Sequence, residues 1–113
     1  MLVLVVDDDR AVREALERAL QLHGYEVALA SDGDNALAAV EARTPDALVL
    51  DVMMPGLDGL DVTRRLRRLG NRVPVLLLTA RDALHVRGPG LRELAEDWNR
   101  GQKRASARGS DLP

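Results

Sequence analysis

The chain has 113 residues, of which 46% are apolar and 30% charged, so it is long enough for one domain with a single buried core. A formal charge of −2 argues against nucleic-acid binding as the main task, and the absence of cysteine excludes disulfide scaffolds, thiol chemistry and cysteine-ligated zinc. No segment approaches the roughly 20 apolar residues of a membrane helix, and the N-terminus is too acidic for a signal peptide. We therefore expect a cytoplasmic, soluble domain with no membrane partner.

Four short apolar segments predict β-strands. Residues 2–6, 47–50 and 73–78 are nearly continuous in valine and leucine, which is typical of strands buried on both faces of a parallel sheet. Residues 25–29 alternate more between apolar and polar side chains, which indicates a strand nearer the edge of the sheet.

Segments with helical spacing lie between these strands. Apolar positions three or four residues apart predict a first helix that ends at Gly24, a second that ends before Pro45 and a third that ends at Gly70. Strand and helix alternate up to residue 79, which is the signature of βαβ units with right-handed crossovers. The predicted fold class is α/β, with a doubly wound parallel sheet.

Acidic residues follow these strands, at the edge where ligands bind in open α/β sheets. Asp7, Asp8 and Asp9 come after the first strand, Asp51 after the third and Thr79 after the fourth. With the strand order 2-1-3-4, Asp7, Asp8 and Asp51 would converge on one small volume, with Thr79 beside it. Taken singly, an aspartate after a strand is more often a helix N-cap, and Asp9 fits that interpretation.

Three carboxylates this close raise one another's pKa unless a cation neutralises them. Oxygen ligands favour a hard, partly hydrated ion such as Mg²⁺. A carboxylate beside Mg²⁺ can attack phosphorus and form an aspartyl phosphate, because the metal offsets the charge that develops during transfer. A hydroxyl at Thr79 would then hydrogen-bond a phosphoryl oxygen.

Three segments closely resemble the receiver domain of bacterial two-component response regulators: VVDDD at 5–9, LVLDVMMPGLDG at 48–59 and LLTAR at 77–81. The D-x-M-M-P-x-x-D-G block after an apolar strand is highly specific. The resemblance covers residues 1 to about 83 and is strongest to receivers that precede a winged-helix DNA-binding domain. It implies a flavodoxin-like fold, Mg²⁺ as cofactor and a sensor histidine kinase as partner in a phosphorelay.

The resemblance also implies a role for each matching residue. Asp51 would be the phosphoacceptor, and Asp51 and Asp8 would bind Mg²⁺ through their side chains. The backbone carbonyl of Met53 would be a third ligand, and Asp7 would reach the metal through water. Thr79 would be the switch hydroxyl.

Pro55 and Gly59 would shape the loop beside this site, where glycine can take strained backbone angles. After residue 83 the chain departs from the family pattern, which continues with a fourth helix, a fifth strand ending in Lys-Pro and a fifth helix. Residues 84–113 contain no apolar run longer than two residues, so we predict that the usual fifth strand and its lysine are missing. Lys103 is the one lysine in the chain, but no strand precedes it and no proline follows it.

Without a fifth strand, residues 73–78 would form an exposed edge that pairs with another chain, so we predict dimerisation, strand exchange or aggregation, with a homodimer formed through the fourth strand. The predicted organisation is a receiver-like core of four strands at 1–83, an atypical segment with an amphipathic helix at 84–98 and a basic, flexible tail at 99–113. The apolar face of that helix would either bury surface or bind a partner. No DNA-binding domain is expected in this chain.

Three functions remain open at this point. The first is a receiver that is not an enzyme and takes a phosphoryl group from a histidine kinase onto Asp51. The alternative is a degenerate or truncated receiver that acts only as an interaction module and does not switch. The third is a Mg²⁺-dependent phosphohydrolase, but those enzymes place a second acid two residues after the nucleophile, where this chain has Met53.

Overall fold

The computed structural model describes residues 1–79, 83–87, 96, 99 and 100. Strands and helices alternate along the first 79 residues, as the apolar pattern predicts, and one more strand follows. In chain order the elements are β1 (Leu2–Val6), α1 (Arg10–Leu22), β2 (Glu26–Ala30), α2 (Gly33–Ala42), β3 (Ala47–Asp51), α3 (Gly59–Arg68), β4 (Val75–Thr79) and β5 (Ala83–Arg87).

The strands form one sheet with the order β2-β1-β3-β4-β5, in which the first four are parallel. The predicted order 2-1-3-4 and the edge position of β2 are therefore confirmed. All five residues of β1 are buried, whereas β2 is partly exposed along most of its length. A strand between two neighbours is covered on both faces by helices, which explains its continuous valine and leucine.

The two faces of the sheet bury two separate apolar cores, because successive side chains of a strand point to opposite faces. One core joins Leu4, Leu48 and Leu50 of the sheet to residues of α2 and α3. The other joins alternate residues of the same strands, including Val5, to Leu16 of α1. The chain thus forms the doubly wound α/β fold that its sequence predicts.

The helices α1, α2 and α3 each begin at an aspartate N-cap. The side chains of Asp9, Asp32 and Asp58 accept hydrogen bonds from the free N–H groups of the first helical turn, and α3 also has a complete capping box. Gly24 and Gly70 follow α1 and α3 with φ of 85° and 79°, which favours glycine at these helix ends. These residues set where the helices begin and, for α1 and α3, where they end.

The prediction that β4 is an exposed edge is wrong. β5 pairs with β4 in an antiparallel register, with Thr79 opposite Ala83 and Val75 opposite Arg87. The strand beside β4 is thus not the usual parallel one, but it occupies the hydrogen-bonding edge that was expected to be free. The homodimer was predicted because the backbone groups along one side of β4 would be unpaired. β5 pairs with that side, so β4 no longer gives a reason to expect this dimer.

β5 also crosses the predicted boundary at residue 83 and places residues 84–87 in the sheet. Lys103 lies outside the described residues, and so do the predicted amphipathic helix and the basic tail except at positions 96, 99 and 100. In the described part of the chain, every helix is too short or too polar to cross a membrane.

Candidate metal and phosphoacceptor site

Three carboxylates meet at the carboxyl end of the sheet. Asp7, Asp8 and Asp51 each offer one oxygen atom, and these atoms all lie within 4.8 Å of one another. Val6 of β1 pairs with Leu50 of β3, so the residues that follow them leave the sheet side by side. The predicted convergence of these acids is confirmed.

Asp7 is the buried member of this acidic cluster, with only 2% of its surface exposed. Its Oδ1 accepts a hydrogen bond of 2.8 Å from the N–H of Asp9. Burial raises the pKa of Asp7 to about 6, and the negative charges of Asp51 and Asp8 act in the same direction, against the hydrogen bond from Asp9. The cluster therefore stores electrostatic repulsion that a cation would relieve.

Asp51 is half-buried at the end of β3. Burial raises the pKa of its carboxyl, the charge of Asp8 raises it further, and a hydrogen bond from the N–H of Met53 opposes both effects. That hydrogen bond joins the Met53 nitrogen to Asp51 Oδ1 over 3.0 Å. The side chain of Met53 is 80% exposed, so Met53 contacts the site through its backbone.

The other two acids after β1 have different surroundings. The side chain of Asp8 is exposed, which leaves the acidic cluster open to solvent on one side. Asp9 is used as the N-cap of α1, and its Oδ1 accepts from the N–H groups of Ala11 at 2.8 Å and Val12 at 3.3 Å. The interpretation of Asp9 as a cap is confirmed, and it does not belong to the cluster.

Two glycines between the end of β3 and the start of α3 have different roles. Gly56, which follows Pro55, has a φ of 75° and takes the left-handed conformation that favours glycine. Gly59 does not have a positive φ, so the expected backbone strain is not at this residue. It is needed because a Cβ at this position would overlap the carbonyl oxygen of Asp51.

For the remaining predicted site residues, the structure gives either the position of the backbone alone or no description. Asp51 pairs with Leu78 in the sheet, so the backbone of Thr79 lies one residue beyond the partner of Asp51. The switch role of Thr79 and the ligand role of the Met53 carbonyl stay predictions. Lys103 is outside the described residues.

Sequence reasoning missed one residue that contacts this site. Arg13 of α1 is half-buried, and its Nη1 donates a hydrogen bond of 2.7 Å to the backbone carbonyl oxygen of Asp7. Nothing in the helical pattern of α1 distinguishes Arg13 from the exposed Arg10 and Arg18, because its partner is a backbone atom in another element.

The donors of the acidic cluster fit a hard divalent cation. All three are carboxylate oxygens, they lie close enough to share one ion, and one of them faces solvent, which leaves room for water ligands. Burial raises the pKa values of Asp7 and Asp51, and a bound cation would offset this cost by stabilising their charged forms. The arrangement can thus hold a cation next to a carboxylate nucleophile.

The fold and the acidic cluster define a class of signalling domain. The sequence profile of the response regulator receiver domain matches residues 3–98, and the chain belongs to this family. The match extends beyond residue 83, where the motif resemblance ends, and it includes β5.

Curated relatives agree with this family. The chain is 57% identical over 98 residues to the response regulator MprA of Mycobacterium avium strain 104, and the match covers 87% of this chain and 43% of that relative. MprA of Mycobacterium leprae strain TN has the same identity and coverage. The chain thus spans less than half the length of the curated relatives it matches.

Solved structures show the same fold. The receiver domain of the Francisella response regulator 1452 is similar with a TM-score of 0.68 and 34% identity, over 72% of this chain and 67% of that one. The Vibrio cholerae chemotaxis protein CheY4 is similar with a TM-score of 0.67 and 30% identity, over 86% and 78% of the two chains. These likenesses confirm the flavodoxin-like receiver fold.

Proposed function

We propose that this domain is a phosphoacceptor in two-component signalling, in which Asp51 takes a phosphoryl group from a histidine of a sensor kinase. The observation that carries the proposal is the meeting of three carboxylates within 4.8 Å at the carboxyl ends of β1 and β3. Membership of the receiver family supports the kinase as partner. The domain would accept the phosphoryl group without turning over a substrate, so it is not proposed to be an enzyme.

Asp8 and Asp51 would hold Mg²⁺ through their side chains, Asp7 through water and Met53 through its carbonyl. When bound, Mg²⁺ stabilises the negative charge on the oxygens of the phosphoryl group during transfer. The burial of Asp7 and the partial burial of Asp51 strengthen this effect, because charges interact more strongly away from bulk water.

The chemical step belongs to Asp51. One of its carboxylate oxygens attacks phosphorus, the bond between phosphorus and the histidine nitrogen of the kinase breaks, and the departing imidazole takes up a proton. The hydrogen bond from the N–H of Met53 holds the carboxylate in one orientation for this attack. The hydroxyl of Thr79 would then donate a hydrogen bond to an oxygen of the new phosphoryl group, which is the switch role proposed for this residue.

Phosphoramidate, a small donor with the same phosphorus–nitrogen bond, tests this proposal without the kinase. With Mg²⁺, the intact mass of the wild-type chain should increase by one phosphoryl group, and the increase should disappear with EDTA or in Asp51→Asn. Asp9→Asn is the matched control: it removes one neighbouring charge, and asparagine caps a helix as well as aspartate does. Phosphorylation of Asp51→Asn at the wild-type level would refute the assignment.

The second candidate is a receiver that binds partners but does not switch. It is favoured by the direction of β5. Arg87, the last residue of β5, pairs with Val75, the first residue of β4, whereas Asp51 lies at the other end of the strands, beside Leu78. The end of β5 therefore lies away from Asp51, whereas the family places a lysine at the end of its fifth strand, beside the phosphoacceptor. If phosphorylation changes amide chemical shifts only next to Asp51, this candidate is supported; changes that extend along β4 and β5 would support the switching receiver.

The phosphohydrolase candidate has little to support it. Met53 occupies the position where such enzymes carry a second acid, and its side chain is 80% exposed. We expect no turnover of p-nitrophenyl phosphate by the wild-type chain with Mg²⁺, and turnover that is lost in Asp51→Asn would contradict the receiver proposal. A cytoplasmic location remains a prediction that follows from the composition and the kinase partner.

A further inference from the structure

The side chain of Arg13 contacts the backbone that carries two members of the acidic cluster. Its Nη1 donates a hydrogen bond of 2.7 Å to the carbonyl oxygen of Asp7. This carbonyl belongs to the peptide group that joins Asp7 to Asp8, so the contact restrains the orientation of both residues. A short hydrogen bond from a guanidinium is stronger than one between neutral groups.

The other described hydrogen bonds of this turn join it to backbone groups of its own residues, of the sheet and of α1. The N–H of Asp7 donates to the carbonyl oxygen of Ala30 over 3.3 Å, and the N–H of Asp9 donates to Asp7 Oδ1 over 2.8 Å. Among the described contacts of residues 7–9, the hydrogen bond of Arg13 is the one that a side chain from α1 supplies. It connects the helix to the peptide group between the two acids.

We propose that Arg13 is a positioning residue for cation binding, which holds the peptide group between Asp7 and Asp8 so that both carboxylates face the same ion. This inference rests on the proposed function, because it assigns Arg13 a part in the same Mg²⁺ site. Arg13 itself does not touch the ion or the phosphoryl group in this proposal. Outer contacts of this kind commonly change metal affinity by about 10–100-fold.

Arg13 has two opposite effects on the affinity of the site for Mg²⁺. Its positive charge repels a cation, so removing the charge alone should tighten Mg²⁺ binding. Its hydrogen bond fixes the ligands, so removing the donor should weaken Mg²⁺ binding. The direction of the change therefore separates positioning from electrostatics.

The experiment measures the Mg²⁺ dissociation constant by calorimetry on the full chain after removal of metal with EDTA. The variants are Arg13→Met, which removes charge and donors, and Arg13→Lys, which keeps the charge but loses the planar fork. Arg18→Met is the matched control, because Arg18 is an exposed residue of the same helix. Urea unfolding of each metal-free variant confirms that the titrated protein is folded, and Arg13→Gln replaces Arg13→Met if that variant is unfolded.

We expect Arg13→Met to bind Mg²⁺ about tenfold more weakly than the wild type, Arg13→Lys to lie between them, and Arg18→Met to match the wild type. Unchanged or tighter binding by Arg13→Met, or an equal loss in Arg18→Met, would overturn the inference while leaving the proposed function intact. A wild-type chain that binds no Mg²⁺ would overturn both.

Discussion

Gly59 packs against the backbone of Asp51 so closely that a Cβ at residue 59 would overlap the carbonyl oxygen of Asp51. The N–H of Gly59 also donates to the carbonyl of Val52 over 3.2 Å. The first residue of α3 is thereby fixed against the end of β3. The loop that follows the proposed phosphoacceptor is thus closed by direct backbone contact.

Replacing Gly59 with alanine should therefore disturb both the fold and the site. Because the overlapping atom is backbone, the strand end or the helix must move, and we expect a loss of about 1–3 kcal/mol in the free energy of unfolding. Urea unfolding and Mg²⁺ titration of Gly59→Ala should show a loss of stability together with weaker Mg²⁺ binding.

Gly70→Ala provides the control for this prediction. Gly70 has a φ of 79° and open space around its Cα, so alanine costs about 1–2 kcal/mol in backbone strain without reaching the acids. Its Mg²⁺ affinity should remain that of the wild type. Equal Mg²⁺ affinities in Gly59→Ala and the wild type would show that this contact does not position Asp51.

Asp8 and Asp9 should differ sharply in their effect on Mg²⁺ binding, although they are neighbours with the same charge. Asp8→Asn removes the negative charge of one carboxylate in the acidic cluster. It should weaken Mg²⁺ binding by more than the roughly tenfold loss expected for a residue that does not touch the ion, such as Arg13. Asp9→Asn keeps the N-cap of α1 and should change binding only slightly. Calorimetry decides the matter, and similar losses in both variants would mean that only the total negative charge counts.

Asp7 should make the metal-free protein less stable as the pH rises. Burial raises its pKa from 3.8 to about 6, so the folded chain binds a proton more tightly than the unfolded chain does. Protonated Asp7 contributes its full stability below pH 3.8, its pKa in the unfolded chain. This stability is lost as the pH rises through about 6, its pKa in the folded chain. At pH 7 the loss has an upper limit of about 3 kcal/mol.

Comparison with Asp7→Asn isolates this effect from the titration of other acids. In EDTA, the variant should gain stability relative to the wild type as the pH is raised from about 5 to 7, and saturating Mg²⁺ should reduce that gain. Urea unfolding at several pH values measures the difference. A difference that does not depend on pH would show that the carboxyl of Asp7 titrates alike in folded and unfolded chains.

Hydrogen exchange should report β4 as an interior strand. Because β4 pairs with β3 on one side and β5 on the other, successive amides from Leu76 to Leu78 are all expected to exchange slowly. In β2, at the opposite edge, amides that point away from β1 should exchange fast. Rapid exchange of alternate amides in β4 would mean that β5 leaves this edge in solution.

The sequence was most informative where burial on both faces demands continuous apolar side chains. Leu2–Val6 was predicted with the bounds that the structure has, and the more alternating second strand correctly indicated an edge. The order of the strands placed Asp7, Asp8 and Asp51 together, because parallel strands end at one edge of a sheet. The fold up to residue 79 and the acidic cluster were both predictable on these grounds.

β5 was not predicted because residues 84–113 contain no long apolar run, which is the pattern of a buried strand. The sequence ALHVR instead begins with two apolar residues and alternates between apolar and polar residues only from Leu84 to Arg87, which suffices for a strand at the edge of a sheet. Arg13 and Gly59 were missed or misinterpreted for another reason. Each acts through a contact with backbone atoms of a different element, and no local pattern in a sequence marks such a contact.

An amide NMR titration of the labelled chain with beryllofluoride, a phosphoryl mimic, in the presence of Mg²⁺ tests directly whether Asp51 is the phosphoacceptor. We expect chemical-shift changes centred on Asp8, Asp51, Met53 and Thr79 in the wild type, and none at these positions in Asp51→Asn. Unchanged wild-type spectra, or the same changes in Asp51→Asn, would contradict the assignment of Asp51 as the phosphoacceptor.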